Sequence, residues 1–174
     1  MKRNLRIVLL SFAALAMTAT LWSQQRKSPH ESTSATIGKA EVTITYGRPY
    51  KKGRNIFGGL EPLGKVWRTG ADEATTFKTT GDLMVGDIHV PAGEYALFTI
   101  PDKGKWTLIL NKTAKQWGAF KYDQEQDLGR TPMKVASTGS PVEQLTIEIK
   151  PSGDKGVLSV TWDTTSASVE LMAH

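Results

Sequence analysis

One stretch of the chain carries most of the groups that could do chemistry. Gly47 to Glu73, GRPYKKGRNIFGGLEPLGKVWRTGADE, holds Arg48, Lys51, Lys52, Arg54, Lys65 and Arg68 against Glu61, Asp72 and Glu73. Guanidinium and ammonium groups beside backbone that glycine lets turn tightly are the parts of a site for a carboxylate, sulfate or phosphate. Arg48, Lys52, Arg54, Trp67, Arg68, Asp72 and Glu73 are therefore candidate ligand-binding residues, with Trp117 beyond the loop as an eighth. The competing reading is a solvated loop whose cations pair with nearby carboxylates, and composition does not choose between the two. Gly58-Gly59 matches neither a Walker nor a dinucleotide fingerprint, because pattern and βαβ context are both missing.

Arg68, Asp72 and Glu73 lie where the loop enters the next strand. Glu73 is the candidate catalytic residue, a general base with Arg68 holding a substrate anion. Asp72 and Glu73 are adjacent, so in extended chain they point to opposite faces and cannot serve each other as acid and base. A buried salt bridge between Arg68 and a glutamate, ordering the loop, is the plainer expectation. Trp67, Trp106 and Trp117 could stack on the apolar faces of sugar rings. Tryptophan on a sheet is more often core, which is where Trp106 and Trp162 are assigned, while Trp117, in KQWG, sits near a turn.

Several chemistries are excluded or disfavoured. The chain has no cysteine, which removes thiol catalysis, zinc–thiolate sites, iron–sulfur clusters and lipid attachment through cysteine. His30, His89 and His174 show no ligand spacing, so neither a metal site nor a cofactor is expected. His30, in a polar stretch, is read as a solvated residue without a partner. No serine stands in a nucleophile elbow, and a triad would have to draw on His89 or a terminal histidine.

The elements that must carry these residues are strands. Val42, Ile44 and Tyr46 alternate with polar neighbours, the period of a half-buried strand. Residues 74–79, 83–85 and 88–90 follow, the last two joined by the hairpin pair Gly86-Asp87. Glu94–Ile100 is apolar on both faces, and Trp106–Leu110 lies beyond a Pro-Asp-Lys-Gly turn. Leu145, Ile147 and Ile149 alternate, as do Leu158, Val160 and Trp162, with Val169 and Leu171 in a last strand. Asn55–Leu60 and Thr113–Gln116 could each form one helical turn. Short strands between Gly, Pro and Asp turns predict an all-β fold, an antiparallel β-sandwich or jelly-roll-like domain over 40–174 with little helix. The loop of about 47–73 exceeds ordinary loop lengths, as functional or disordered segments do, and its apolar anchors argue for order.

The first residues read differently. Lys2, Arg3 and Arg6 precede the apolar run Ile7–Met17, and small residues follow at Ala19 and Ser23. That is the pattern of a secretory signal peptide over 1–23 with cleavage near 19–24, and the run falls short of the roughly 20 apolar residues of a spanning helix. A secreted or periplasmic protein with no membrane span after cleavage is expected, with a flexible leader over 24–39. The chain's 22 Lys and Arg stand against 17 Asp and Glu, a net of +5. The signal accounts for three of those cations and no acid, leaving 19 against 17 and a net of +2. Bulk charge therefore calls for no nucleic acid partner.

The phrases TYGRPYKKGRNIFGGLEPLGKVWRTGADEATTF, PAGEYALFTIP and KQWGAFKYD are long and unusual. Through them the chain resembles the secreted bacterial family catalogued as domain of unknown function 2911, from about Ala40 through Asp123 and more loosely to the last strand. The resemblance implies no assigned activity, and it leads one to expect asparagine where this chain has Asp72. The leading functional reading is a non-catalytic β-sandwich that binds a small anionic or sugar-like ligand through the cationic loop. The alternatives are a hydrolase or isomerase using Glu73 and Arg68, and an envelope or surface interaction module.

Overall fold

The structure, a computed structural model, describes residues 28–174. The signal peptide expected over 1–23, its cleavage zone and residues 24–27 lie outside the described residues. Nine strands form one antiparallel sheet: β1 (His30–Ile37), β2 (Ala40–Gly47), β3 (Thr75–Thr79), β4 (Leu83–Val85), β5 (Ile88–Val90), β6 (Gly93–Ile100), β7 (Trp106–Asn111), β8 (Asp127–Ser152) and β9 (Lys155–Ala173). Their order across the sheet is β1-β2-β3-β6-β7-β8-β9-β4-β5. Among the described residues the only helical element is a 3-10 turn at Gln124–Gln126. The turns expected to be helical at 55–60 and 113–116 are hydrogen-bonded or irregular loop instead.

β8 and β9 make the sheet fold over. Asp127–Met133 of β8 pairs with β7, and the strand from Lys134 onward pairs with β9. The β8–β9 register slips between Ser137 and Val142 and again between Val142 and Thr146, while Asp163 in the facing strand takes φ 53. Slips of this kind bend a strand and increase its twist. The two ends of the sheet thus share one core: Val42, Ile44 and Phe77 from one end pack in the same cluster as Leu83, Val85 and Val160 from the other. The arrangement is sandwich-like, with alternate residues of each strand turned inward. Residues 158–162 and 169–171, expected as separate strands, are one strand bent at Asp163.

The flexible leader expected over 24–39 is corrected in its described part. All eight residues of β1 pair one to one with β2, from His30 opposite Gly47 to Ile37 opposite Ala40. Its outer face is held by short hydroxyl contacts, Ser32 to Thr45 at 2.7 Å and Ser34 to Thr43 at 3.0 Å. Only Ile37 is fully buried, so the strand lacks the apolar alternation by which strands are recognised.

The long loop is a plug rather than a rim. Ile56 and Trp67 are buried in the core. Phe57 meets Trp106 edge to face at 4.7 Å, and Trp67 stacks on Trp162 at 6.1 Å with 16° between planes. Trp67 also exchanges both backbone hydrogen bonds with Thr99, at 2.8 and 2.9 Å. The loop closes at Gly47, where a Cβ would stand 2.1 Å from the Ala71 carbonyl oxygen, so only glycine fits.

A second, smaller apolar cluster lies on the sheet's outer face. Ala96, Phe98 and Ile109 are covered there by Ala119 and Tyr122 of the segment between β7 and β8. Asp127 fastens that segment. Its carboxylate accepts from Asn111 Nδ2 at 2.9 Å, Tyr122 Oη at 2.7 Å and Arg130 Nε at 2.8 Å. Burial and the bond to Asp127 push the Tyr122 phenol up to about 12.

Candidate binding site

Three pieces of backbone meet on this outer face and leave a cleft of about 370 Å³ between them. One is the start of β1 with His30, one the end of the long loop with Glu73, and one the segment Ala114–Gln116. Its floor is sheet, with Thr45 of β2 opposite Thr76 of β3 and Glu94 of β6 alongside. Alternation explains the choice of floor residues, because Ile44 and Phe77 turn into the core and their neighbours must turn out. The loop end and the covering segment are locked together. Ala74 N–H donates to Gln116 O at 2.9 Å and Gly118 N–H to Asp72 O at 3.1 Å.

Asp72 takes φ 65 at this junction and is buried. Asp and Asn tolerate the left-handed region better than other side chains, which suits either residue to the position. Its Oδ2 accepts from Ser28 N–H at 3.2 Å. His30 Nε2 lies 3.6 Å from that oxygen and 3.3 Å from Glu73 Oε2. These are ion-pair separations without hydrogen-bond alignment, so His30 Nε2 is a buried nitrogen with no hydrogen-bond partner among the described residues. Gln116 donates through Nε2 to Thr113 O at 2.8 Å, and its Oε1 is likewise buried without a partner. With Glu73, Glu94 and the Thr45 and Thr76 hydroxyls also lining it, the cleft is rich in acceptors, and Lys115 brings an ammonium group.

The family described as "Protein of unknown function (DUF2911)" matches residues 28–171. The chain belongs to that family. No curated protein matches it, and no solved structure does. The DUF2911 match begins two residues before β1 and so takes in the strand that the sequence did not reveal.

The eight sequence candidates in this DUF2911 chain do not converge. Arg48 is engaged by Glu31 at 2.7 Å, the Leu145 carbonyl at 2.9 Å and Thr146 Oγ1 at 3.0 Å. Arg54 folds back onto the Tyr50 and Lys51 carbonyls and, with Lys52, lines a separate hollow of about 320 Å³. Arg68 donates through Nε to Gly70 O and lines a third hollow with Glu61. Trp67 belongs to the core and has no free face for a sugar, which corrects its assignment as a platform. Trp117 lines a fourth hollow of about 480 Å³. Glu73 alone lines the cleft described above, and Asp72 sits behind it.

Sequence reasoning missed His30, Glu94 and Gln116. His30 was read as solvated and partnerless, yet strand pairing carries it to Asp72 and Glu73. Glu94 and the two threonines were legible as outward positions of strands, although nothing in the sequence marks them as neighbours. Glu61 is a further unforeseen group in the DUF2911 chain. Burial raises its carboxyl to about 7, against the lowering influence of Arg68 and Arg54.

Proposed function

We propose that this is an exported protein that binds a small, hydroxyl-rich, sugar-like ligand in the cleft at His30, Glu73 and Gln116. The observation that carries the reading is Gln116 Oε1, buried without a hydrogen-bond partner among the described residues, in a concavity that it shares with the contact of His30 Nε2 to the Glu73 carboxylate. A buried polar atom without a partner costs about 1–3 kcal/mol, and a ligand hydroxyl relieves that cost at Gln116 Oε1, while other hydroxyls, which donate and accept, suit His30 and Glu73. The ligand favoured by this lining is not an anion, since a carboxylate or phosphate would meet Glu73 and Glu94. The basic start of the chain and its apolar run support export.

The test is a thermal-shift screen of the chain from residue 24 with neutral sugars, polyols, phosphate and small carboxylates, run beside Glu73→Gln and Gln116→Ala. A sugar at a hundredfold excess over Kd stabilises the folded state by about 2.7 kcal/mol. That shift should be lost in both variants. Shifts with phosphate or carboxylates alone, retained in both variants, would overturn the reading.

A second reading is favoured by one distance. Glu73 shares its cleft with a second titratable group at 3.3 Å, His30, so hydrolase or isomerase chemistry would use that pair rather than Glu73 with Arg68. Turnover of a bound sugar derivative, abolished by Glu73→Gln while binding persists, is its test.

A further inference from the structure

The cleft and the hollow beside it share two lining residues, Lys115 and Gln116, so the two form neighbouring compartments along one segment of chain. Their linings differ in kind. Trp117 and Phe120 line the hollow, and Phe120, 84 % exposed, is the most exposed large apolar residue among the described residues. Lys115 and Lys121 flank these rings, and no carboxylate lines the hollow. A Cβ at Gly118 would stand 3.0 Å from the Phe120 ring and 3.3 Å from Arg68 Nη1, and Arg68 and Phe120 share the next hollow with Glu61.

An open aromatic shelf ringed by cations fits one chemical class well. The C–H face of a pyranose covers an aromatic ring, and a carboxylate on that pyranose forms charge-assisted hydrogen bonds to the ammonium groups beside it. A neutral sugar would leave the cations unused. A simple anion would leave the aromatic surface uncovered. We propose that the shelf at Trp117 and Phe120 is a second subsite that takes an acidic sugar residue, and that the natural ligand is an acidic oligosaccharide reaching from the shelf into the cleft. The proposal rests on the reading that the cleft holds a sugar-like ligand, and it divides the labour by charge, with hydroxyls beside Glu73 and Glu94 and a carboxylate beside Lys115 and Lys121.

Isothermal titration of the chain from residue 24 with an oligosaccharide of one uronic acid and two neutral sugars, its methyl ester and free galactose tests it. Phe120→Ala and the double variant Lys115→Ala/Lys121→Ala alter exposed side chains, and their melting temperatures serve as folding controls. The acid oligomer should bind at least about tenfold more tightly than the ester. The double variant should abolish that preference, Phe120→Ala should weaken both oligomers, and Glu73→Gln should weaken all three sugars. Equal affinity for acid and ester, unmoved by the double variant, would overturn the acidic subsite and leave the cleft reading standing. Oligomer binding that survives Glu73→Gln but not Phe120→Ala would overturn both the joined groove and the cleft reading. Absence of binding by every sugar would overturn both as well.

Discussion

His30 places Nε2 3.3 Å from a carboxylate oxygen of Glu73, which ties the first strand to the end of the long loop. The two side chains are 19 % and 35 % exposed, so water and salt screen much of their attraction. Exposed or half-exposed pairs of this kind contribute about 0–1 kcal/mol. The contact thus matters more to the cleft than to the fold. His30→Ala should lower the unfolding free energy by less than about 1 kcal/mol in urea. The same variant should weaken binding of the sugar found by thermal shift about tenfold or more in isothermal titration. A large stability loss with unchanged affinity would reverse that assignment.

Glu61 makes stability depend on pH in an unusual direction for a carboxylate. Its ordinary value is 4.5 and burial raises it to about 7 in the folded chain. Between those values the folded state holds the proton that the unfolded state has released, so stability falls as pH rises from about 4.5 to 7 and is level above. Below 4.5 both states are protonated and this loss vanishes. The span allows at most about 3 kcal/mol, at 1.36 kcal/mol per unit. Glu61→Gln should match the parent near pH 4.5 and exceed its stability at pH 8, measured by denaturation at both values. Equal stability at pH 8 would show that Arg54 and Arg68 compensate the buried charge fully.

Asp72 separates the needs of the backbone from those of the charge. Its φ of 65 suits Asp or Asn, and its carbonyl holds Gly118 N–H. Asp72→Asn keeps the conformation and an acceptor for Ser28 N–H while removing the charge beside His30, so it should cost less stability than Asp72→Ala. Asp72→Ala puts a side chain without local hydrogen bonding into the left-handed region, at a cost of about 1–2 kcal/mol from the backbone alone. It should also loosen segment 113–118, seen as faster amide exchange at Gly118. A backbone-neutral result for both variants would remove Asp72 as the fastener of that segment.

How far the sequence could be read depended on where each element gets its stability. β2, β3, β6 and β7 turn apolar residues such as Ile44, Phe77 and Leu108 into the core on a regular period, and their period was visible. β1 is held by backbone pairing and by Ser32–Thr45 contacts, which leave no apolar trace. The first half of β8 is hidden by Gly129, Pro132 and Gly139, although Thr131 and Met133 are buried in the expected alternation. The site follows the same logic. Glu73 stood out because it ends a conspicuous loop, whereas His30, Glu94 and Gln116 come together only through pairings between strands distant in sequence. The cation cluster was real as composition and misleading as geometry, because Arg48 is turned to Glu31, Thr146 and the Leu145 carbonyl of β8 while Arg54 satisfies carbonyls of its own turn.

The long loop can therefore lose its cations more readily than its apolar anchors. Trp67 is 4 % exposed and packs against Phe57, Trp106 and Trp162, so Trp67→Ala removes a large buried ring from the middle of four aromatic side chains. Truncations of this size cost about 3–5 kcal/mol. Arg54 is exposed and holds only the carbonyls of its own turn, so Arg54→Ala should cost less than about 1 kcal/mol. Urea denaturation followed by tryptophan fluorescence measures both. If the loop were a ligand surface resting on a core complete without it, the two substitutions would cost similar small amounts. A gap of several kcal/mol between them identifies the loop as the plug of the folded sheet.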